Sequence, residues 1–370
     1  MNDDQTLDHE DSETQRMLRD AVRAYAQDHW PWRRMFDLEK RGATLPADEL
    51  ARVHEMGWLT MLAPERLGGA EISLLDAAVV LEELGYAGVS VLPVTVANVA
   101  MQVLAAAKND AFDEMVRQQA AQKALYTLSE ALRWSGISAQ EMALQVVDGR
   151  LQGTLDLVPW AHLADGVVVP VLVSGRQGIA VVPLKDAKVR VNGTMDAPHH
   201  FSVDVDGVAL TSIPHAFAQV GVLADALMTA LVVPQMAGLI LRIARLTADY
   251  ISERVVFGRP IAKFQAPRHR VTDVLSLGEL TRSTAYQAIW NYQQDQDLAS
   301  VWRAKHFANT CVDRVTQNAH LVHGGIGVNT EYPLHTLTLA LMALAVKAGT
   351  TPELVDRLDA ARLTSSTPRP

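Results

Sequence analysis

Residues Leu144–Val158 read LQVVDGRLQGTLDLV, and Asp165–Val173 continue as DGVVVPVLV. These are short β-branched runs broken by Asp148-Gly149 and Gly153, residue types suited to tight strand-to-strand turns. The same texture runs from ALYTLSE (Ala124–Glu130) through GIAVVPL (Gly178–Leu184) and VRVNGTMD (Val189–Asp196) to HHFSVDVDGVAL (His199–Leu210). The spacing predicts an antiparallel meander or small barrel.

Outward from this segment the period changes on both sides. Upstream, DSETQRMLRDAVRAYAQDHW opens with a Ser12-x-x-Gln15 capping pattern, and Met17, Leu18, Val22, Tyr25 and Ala26 recur at helical steps. LPADELARVHEMGWLTML and SLLDAAVVLEELGYAGV repeat the pattern. Downstream, three long amphipathic stretches begin at Ala224, Gln265 and Leu298. Helices, then strands, then helices predict an α+β chain rather than a βαβ alternation. The expected parts are a helical domain over 1–122, a β domain over 123–217, a helical bundle over 218–362 and an unstructured tail over 363–370.

The chain has 370 residues and a formal net charge of −9, with its basic residues spread out, which argues against a nucleic-acid surface. Cys311 is the single cysteine, so an internal disulfide and a Cys-based metal site are excluded, and its apolar helical context reads as core. The acidic start MNDDQTLDHEDSETQ does not read as a secretory signal, and no apolar run is expected to reach the roughly 18 residues of a membrane span. The expected location is the cytoplasm.

Three stretches carry a resemblance to the acyl-CoA dehydrogenase family. MGWLTMLAPERLGGAEISLLDAAVVLEELGYA (Met56–Ala87) is similar to its N-terminal segment. SERVVFGRPIAKFQAPRHRVTDV (Ser252–Val274) is similar to its Glu-Arg-x-x-Phe-Gly-x-x-Ile-x-x-x-Gln signature. HGGIGVNTEYP (His323–Pro333) is similar to its glycine loop. The resemblance implies a helical domain, a barrel-like β domain and a four-helix bundle, with FAD bound across a subunit interface. It also implies the reaction: a carboxylate takes the α-proton of an acyl-CoA thioester and the flavin takes the β-hydrogen as hydride.

By that resemblance Arg254, Phe257 and Gln265 reach the FAD of a neighbouring subunit. Their chemistry agrees, with a forked cation for the diphosphate, a flat apolar face, and an amide for the adenosine edge. Gly324, Gly325 and Gly327 match the loop along the diphosphate and adenosine, and His323 is read as a flavin or phosphate neighbour. Singly, Arg254 also serves as a helix-end cation and the glycines as a helix stop. On the ring side the family's glycine-rich turn is missing: Ser129-Glu130 remain, but Ala131, Leu132, Arg133 and Trp134 follow. Trp160, in VPWAHLADGVVV, is either a flank for the flavin or a core residue.

The family's catalytic Glu falls on Ala348 in VKAGTTPEL, and the alternative base position falls on Met228, beside Thr229. None of these accepts a proton from carbon. Asp225 and Glu353 lie about one turn away, some 5 Å along a helix, whereas a base must come within about 3 Å. Glu331 reads as a structural acceptor. His320 sits beside the glycine loop, while His199, His200 and His269 have no metal-ligand spacing.

Three accounts follow. The first is a subunit of a hetero-oligomeric, heterotetrameric acyl-CoA dehydrogenase acting on a steroid-type CoA, whose partner chain brings the base and whose electrons pass to an electron-transfer flavoprotein. The second is a self-sufficient homo-oligomer with a relocated base. The third is a flavin-free binding partner.

Overall fold

The computed structural model describes residues 11–31, 47–88, 93–129, 144–173, 176–185, 187–192, 194, 200–208 and 217–365. In chain order the helices upstream of the strands are α1 (Glu13–His29), α2 (Ala47–Glu55), α3 (Leu74–Tyr86), α4 (Val94–Ala106) and α5 (Asp110–Ala120). Strands β1 (Tyr126–Leu128), β2 (Leu144–Val147), β3 (Arg150–Gln152), β4 (Thr154–Pro159), β5 (Gly166–Val173), β6 (Arg176–Pro183), β7 (Lys188–Val191) and β8 (His200–Asp204) come next. The chain continues through α6 (Phe217–Glu253), β9 (Val255–Val256), β10 (Arg259–Pro260), α7 (Gln265–Asp295), α8 (Leu298–His323), α9 (Leu334–Val346) and α10 (Thr351–Ser365). Helix α10 runs on to Ser365, past the expected start of an unstructured tail at 363; residues 366–370 lie outside the described residues.

These elements gather into two compact units. One comprises Met1–Asp37, Leu74–Ser90 and Thr229–Pro370; the other comprises Leu38–Ser73 and Val91–Met228.

The strand-bearing unit holds two sheets. In one, β5 pairs along its whole length with β6, antiparallel, from Gly166 opposite Pro183 to Val173 opposite Arg176. The other edge of β5 takes two strands end to end: Tyr126–Leu128 opposite Gly166–Val168, and Leu144–Gln145 opposite Val171–Leu172. Both of these pairings are parallel, so the sheet is mixed rather than a pure antiparallel meander. A strand reached through a longer connection is not held to the reversal that a two-residue hairpin imposes. Where the turn is tight the expectation holds: β2 and β3 are antiparallel around Asp148 (φ 50°) and Gly149 (φ 72°), both left-handed. The second sheet has the order β4-β8-β7 and is antiparallel throughout. Helix α4 is mostly apolar and is buried except at Gln102 and Ala106, as a helix inside a core should be.

In the helical unit, α1 starts on the predicted capping box. The Gln15 amide donates to Ser12 Oγ at 3.2 Å, and the Ser12 amide donates back to Gln15 Oε1 at 3.0 Å. Its buried face, with Val22, Tyr25 and Ala26, packs on α3. Helices α3 and α6 meet backbone against backbone at Gly85 and Gly238. A methyl group on Gly85 would stand 2.2 Å from the Gln235 carbonyl oxygen, and one on Gly238 would stand 1.9 Å from that of Glu82. A buried ion cluster ties α1 and α7 to α3. Arg19, 7 % exposed, bonds Asp11, Glu82 and Glu83; Arg23 forks onto Glu83; Arg282 and the Tyr286 hydroxyl reach Glu82.

An apolar window in Val220–Glu253 is long enough for a membrane span, contrary to the sequence expectation, and so is one in Leu334–Arg362. The first window is 89 % buried inside the protein and the second 56 %. The apolarity of α6 therefore serves the core.

Candidate functional site

Helix α6 ends at Glu253 and the chain turns at once into the β9–β10 hairpin, whose two-residue tip is Phe257-Gly258. Both tip residues are left-handed, with φ 55° and 76°, the pair of values this shortest hairpin requires. The conformation carries a cost at Phe257, which has a β-carbon. What it achieves is presentation: Phe257 is 89 % exposed, and Arg254 and Gln265 on either side of the hairpin are exposed too. The hairpin is braced by Phe264, whose ring lies 6.5 Å from that of Phe257 in an edge contact and 4.3 Å from the Arg259 guanidinium. A rigid arm thus holds an aromatic face, a guanidinium and an amide out to solvent.

The glycine loop lies beside the root of this arm. Helix α8 ends at His323, and Gly324 takes φ 63° and ψ −140°, a backbone region open to glycine and very costly to other residues. A β-carbon on Gly324 or Gly325 would meet nothing within 4 Å, so the loop has room over its backbone. Tyr250, on the last turns of α6, stacks on His323 at 4.4 Å between ring centroids and donates its hydroxyl to the His323 carbonyl at 3.3 Å. The Arg254 amide in turn bonds the Tyr250 carbonyl at 2.9 Å. Arm and loop are therefore one assembly, and Arg254, Phe257, Gln265, Gly324 and Gly325 share it.

His323 packs beneath the loop. Its Nδ1 lies 2.8 Å from the Ala319 carbonyl and its Nε2 3.0 Å from the Tyr332 hydroxyl. A carbonyl only accepts, so Nδ1 carries the hydrogen and Nε2 receives the Tyr332 proton. Neither nitrogen is left for a phosphate. Burial holds the imidazole below its usual range, against the Ala319 bond, and pushes the Tyr332 phenol up to about 12. His323 acts as a neutral staple beneath the loop, and Tyr250 and Tyr332 are the residues sequence reasoning missed. Gly327 is buried against the His323 and His320 side chains, so it fits the packing under the loop rather than its open side. Glu331 is exposed, with its amide bonded to Asn329 Oδ1.

The position of the family Glu, Ala348, lies against Thr229 within the helical unit. Thr229 on α6 donates its hydroxyl to the Ala348 carbonyl at 3.3 Å, buried. Ala348 is itself fully buried with φ 59°, followed by Gly349 at φ 116°. Lys305, 0 % exposed, donates to the Ala345 carbonyl at 3.0 Å, the Gly349 carbonyl at 3.4 Å and Asn309 Oδ1. Nothing on Ala348 or Thr229 accepts a proton from carbon. Glu353, the third residue of α10, accepts the Thr350 amide on a carboxylate oxygen at 2.7 Å, so it caps the start of that helix. Asp225 and Met228 are buried on α6 in the strand-bearing unit.

In that unit, Trp160 is 4 % exposed, which places it in the core, and residues 130–143, with Glu130 through Trp134, lie outside the described residues. Beside Trp160, at a β-bulge between Leu155 and Val158, the backbone is left-handed at Leu157 (φ 55°) and Trp160 (φ 59°). The His162 ring lies 4.4 Å from Phe201 and 6.0 Å from Trp160, with both nitrogens buried and unpaired. Burial lowers its pKa to about 4 from 6.5. Between those values the unfolded chain binds the proton and the folded one does not, so stability is complete above about pH 6.5 and is lost as pH falls towards 4. His162→Phe keeps the ring stack and removes the titration. Its acid-unfolding midpoint, followed by circular dichroism, is expected to lie below that of the wild type.

Cys311 is buried, its thiol is pushed up by burial, and Thr281 Oγ1 lies 3.9 Å away, consistent with core. His200 is buried and His269 exposed; among the described residues no group of three or more His, Cys, Asp or Glu is placed to hold a metal.

Residues 12–124 match the acyl-CoA dehydrogenase N-terminal domain and residues 227–361 the acyl-CoA dehydrogenase C-terminal domain. The chain belongs to the acyl-CoA dehydrogenase family. It is 28 % identical to the acyl-CoA dehydrogenase FadE28 of Mycobacterium tuberculosis over 75 % of this chain and 82 % of that one. Its fold is that of a chain in the ChsE4–ChsE5 complex from Mycobacterium tuberculosis, at TM-score 0.86, 23 % identity and coverage of 98 % and 100 %. It is also that of the Tcur3481–Tcur3483 steroid ACAD, at TM-score 0.82, 23 % identity and coverage of 96 % and 99 %.

Proposed function

We propose that this chain is one subunit of a hetero-oligomeric, FAD-dependent acyl-CoA dehydrogenase, in a heterotetramer with a homologous chain. Arg254, Phe257, Gln265 and the backbone at Gly324 and Gly325 would hold the adenosine and diphosphate part of a FAD shared across the subunit interface. The partner would bring the proton acceptor. When bound, FAD supplies the hydride acceptor for α,β-dehydrogenation of an acyl-CoA.

One observation carries this reading: an 89 % exposed phenyl ring on a strained two-residue tip, beside an exposed guanidinium and amide. Such a surface is built for something outside the chain. The residues fit the group assigned to them. Arg254 can fork onto a diphosphate, Phe257 can cover a flat apolar surface, Gln265 can both donate and accept, and the loop lets a backbone approach closely. On the proton side, Ala348 and Met228 have no acceptor and Glu353 caps α10. The likeness to a two-component steroid ACAD supports a bulky steroid-type thioester as substrate. An electron-transfer flavoprotein-type acceptor and a cytoplasmic setting complete the reading.

The experiment is purification of the chain alone and together with a homologous companion. Flavin and thioester oxidation are expected only from the pair; a yellow, active single chain would overturn the proposal. In the pair, Arg254→Gln combined with Phe257→Ala is expected to weaken FAD retention by about 10- to 100-fold. Melting of the isolated chain should not change, because both side chains are exposed.

A further inference from the structure

The segment Glu253–Arg270 carries five Lys or Arg and one acidic residue, in a chain whose net charge is −9. Arg254, Arg259, Lys263 and Arg268 are all exposed, and among the described residues none of the four has an ion-pair partner. Two other exposed arginines of the same unit are paired: Arg245 with Asp249 at 3.1 Å and Arg314 with Asp273 at 2.7 Å. Arg259 is moreover held in place by its stack on Phe264, which lowers the entropy it would lose on binding.

The charge does not balance against the cofactor alone. A diphosphate carries about two negative charges, one per phosphate, whereas this segment offers four exposed cations. Covering it would leave roughly two cations desolvated without a counter-charge, which is unfavourable at an interface. If a two-fold axis ran through this patch, a second copy of this chain would set cation against cation there. We propose that Arg259, Lys263 and Arg268 form a dock for an acidic segment of the partner dehydrogenase subunit, one that brings at least two carboxylates to this face. The proposal rests on the partner-chain reading above and adds to it: Arg254, Phe257 and Gln265 face the cofactor, and the remaining cations select the companion chain. An acidic partner face also steers encounter, so assembly becomes salt-sensitive.

The test uses the full chain co-expressed with its companion. The triple variants Arg259→Gln/Lys263→Gln/Arg268→Gln and Arg259→Glu/Lys263→Glu/Arg268→Glu are compared with the wild type by mass photometry. The neutral variant is expected to weaken assembly about tenfold near 50 mM salt, the reversed variant about thirtyfold or more, and the wild type alone to lose affinity markedly near 300 mM. Unchanged Kd and unchanged salt dependence in both variants would overturn the dock while leaving the partner reading intact. Loss of flavin at unchanged assembly would assign these cations to the cofactor and also overturn it. A wild-type chain that forms no hetero-complex sinks both readings. Circular dichroism melting of the isolated variants, expected to match wild type, separates docking from misfolding.

Discussion

Gly238→Ala is expected to destabilise the helical unit by about 3 kcal/mol or more, at the upper end of the range for overpacked cores. The new methyl would stand 1.9 Å from the Glu82 carbonyl oxygen and 2.7 Å from the Tyr86 amide nitrogen. Both obstacles are backbone, so no rotamer change relieves the contact; α3 and α6 must move apart. That separation opens an apolar face in which Val79, Val80 and Leu84 on α3 are buried. Gly325→Ala is the control, since its methyl meets nothing within 4 Å. A thermal melt of the two variants against wild type checks the prediction: Gly238→Ala should fall by at least about 5 °C while Gly325→Ala stays close to wild type. Adding Gly85→Ala to Gly238→Ala should cost less than its single effect, because the helices have already parted. Wild-type melting of Gly238→Ala would show that the two backbones are not in close contact at this crossing.

Lys305→Ala is expected to be comparably severe, at about 3–5 kcal/mol. The fully buried ammonium satisfies the Ala345 and Gly349 carbonyls and Asn309 at once, bridging the end of α9 to the left-handed turn that starts α10. Removing it takes a donor from the Ala345 carbonyl and Asn309 Oδ1, leaves the Gly349 carbonyl only its bond from the Asn309 amide at 3.1 Å, and opens a cavity. Lys305→Met fills the space without the donors, so it should recover the cavity part of the loss and keep the hydrogen-bond part, about 1–3 kcal/mol. Urea unfolding of the pair separates the contributions. If both variants unfold at the wild-type midpoint, the ammonium does not hold the turn at Ala348.

Much of this fold was legible because local chemistry and global structure agree. The Ser12–Gln15 box starts α1 where expected, Asp148-Gly149 turns β2 into β3, and among the described residues the strand texture formed the eight strands β1 to β8 of the two sheets. The parallel edge of β5 was not legible, since side-chain alternation is the same in parallel and antiparallel strands when both faces are covered. At the site, glycines and the Phe257-Gly258 tip announced themselves because their backbone demands are written in residue type. The inward orientation of His323 was not legible, because an imidazole beside a glycine loop looks the same in sequence whether it faces outward or down. Only the Ala319 carbonyl and the Tyr332 hydroxyl decide between these. Lys305 escaped notice for a similar reason: a lysine in an amphipathic helix normally reads as solvated, and its three acceptors come from residues close in space and as much as 44 positions away in sequence.

The cluster around Glu82 joins Arg19 to Arg282, side chains on helices made at opposite ends of synthesis. A ribosome completes the strand-bearing unit by Met228, but the helical unit needs everything from Thr229 onward. During translation α1 and α3 must therefore wait, with Glu82 and Glu83 facing Arg19 before Arg282 and Tyr286 exist. A chain halted after the strands would keep one finished unit and expose the apolar faces of the other, the kind of nascent species that chaperones hold.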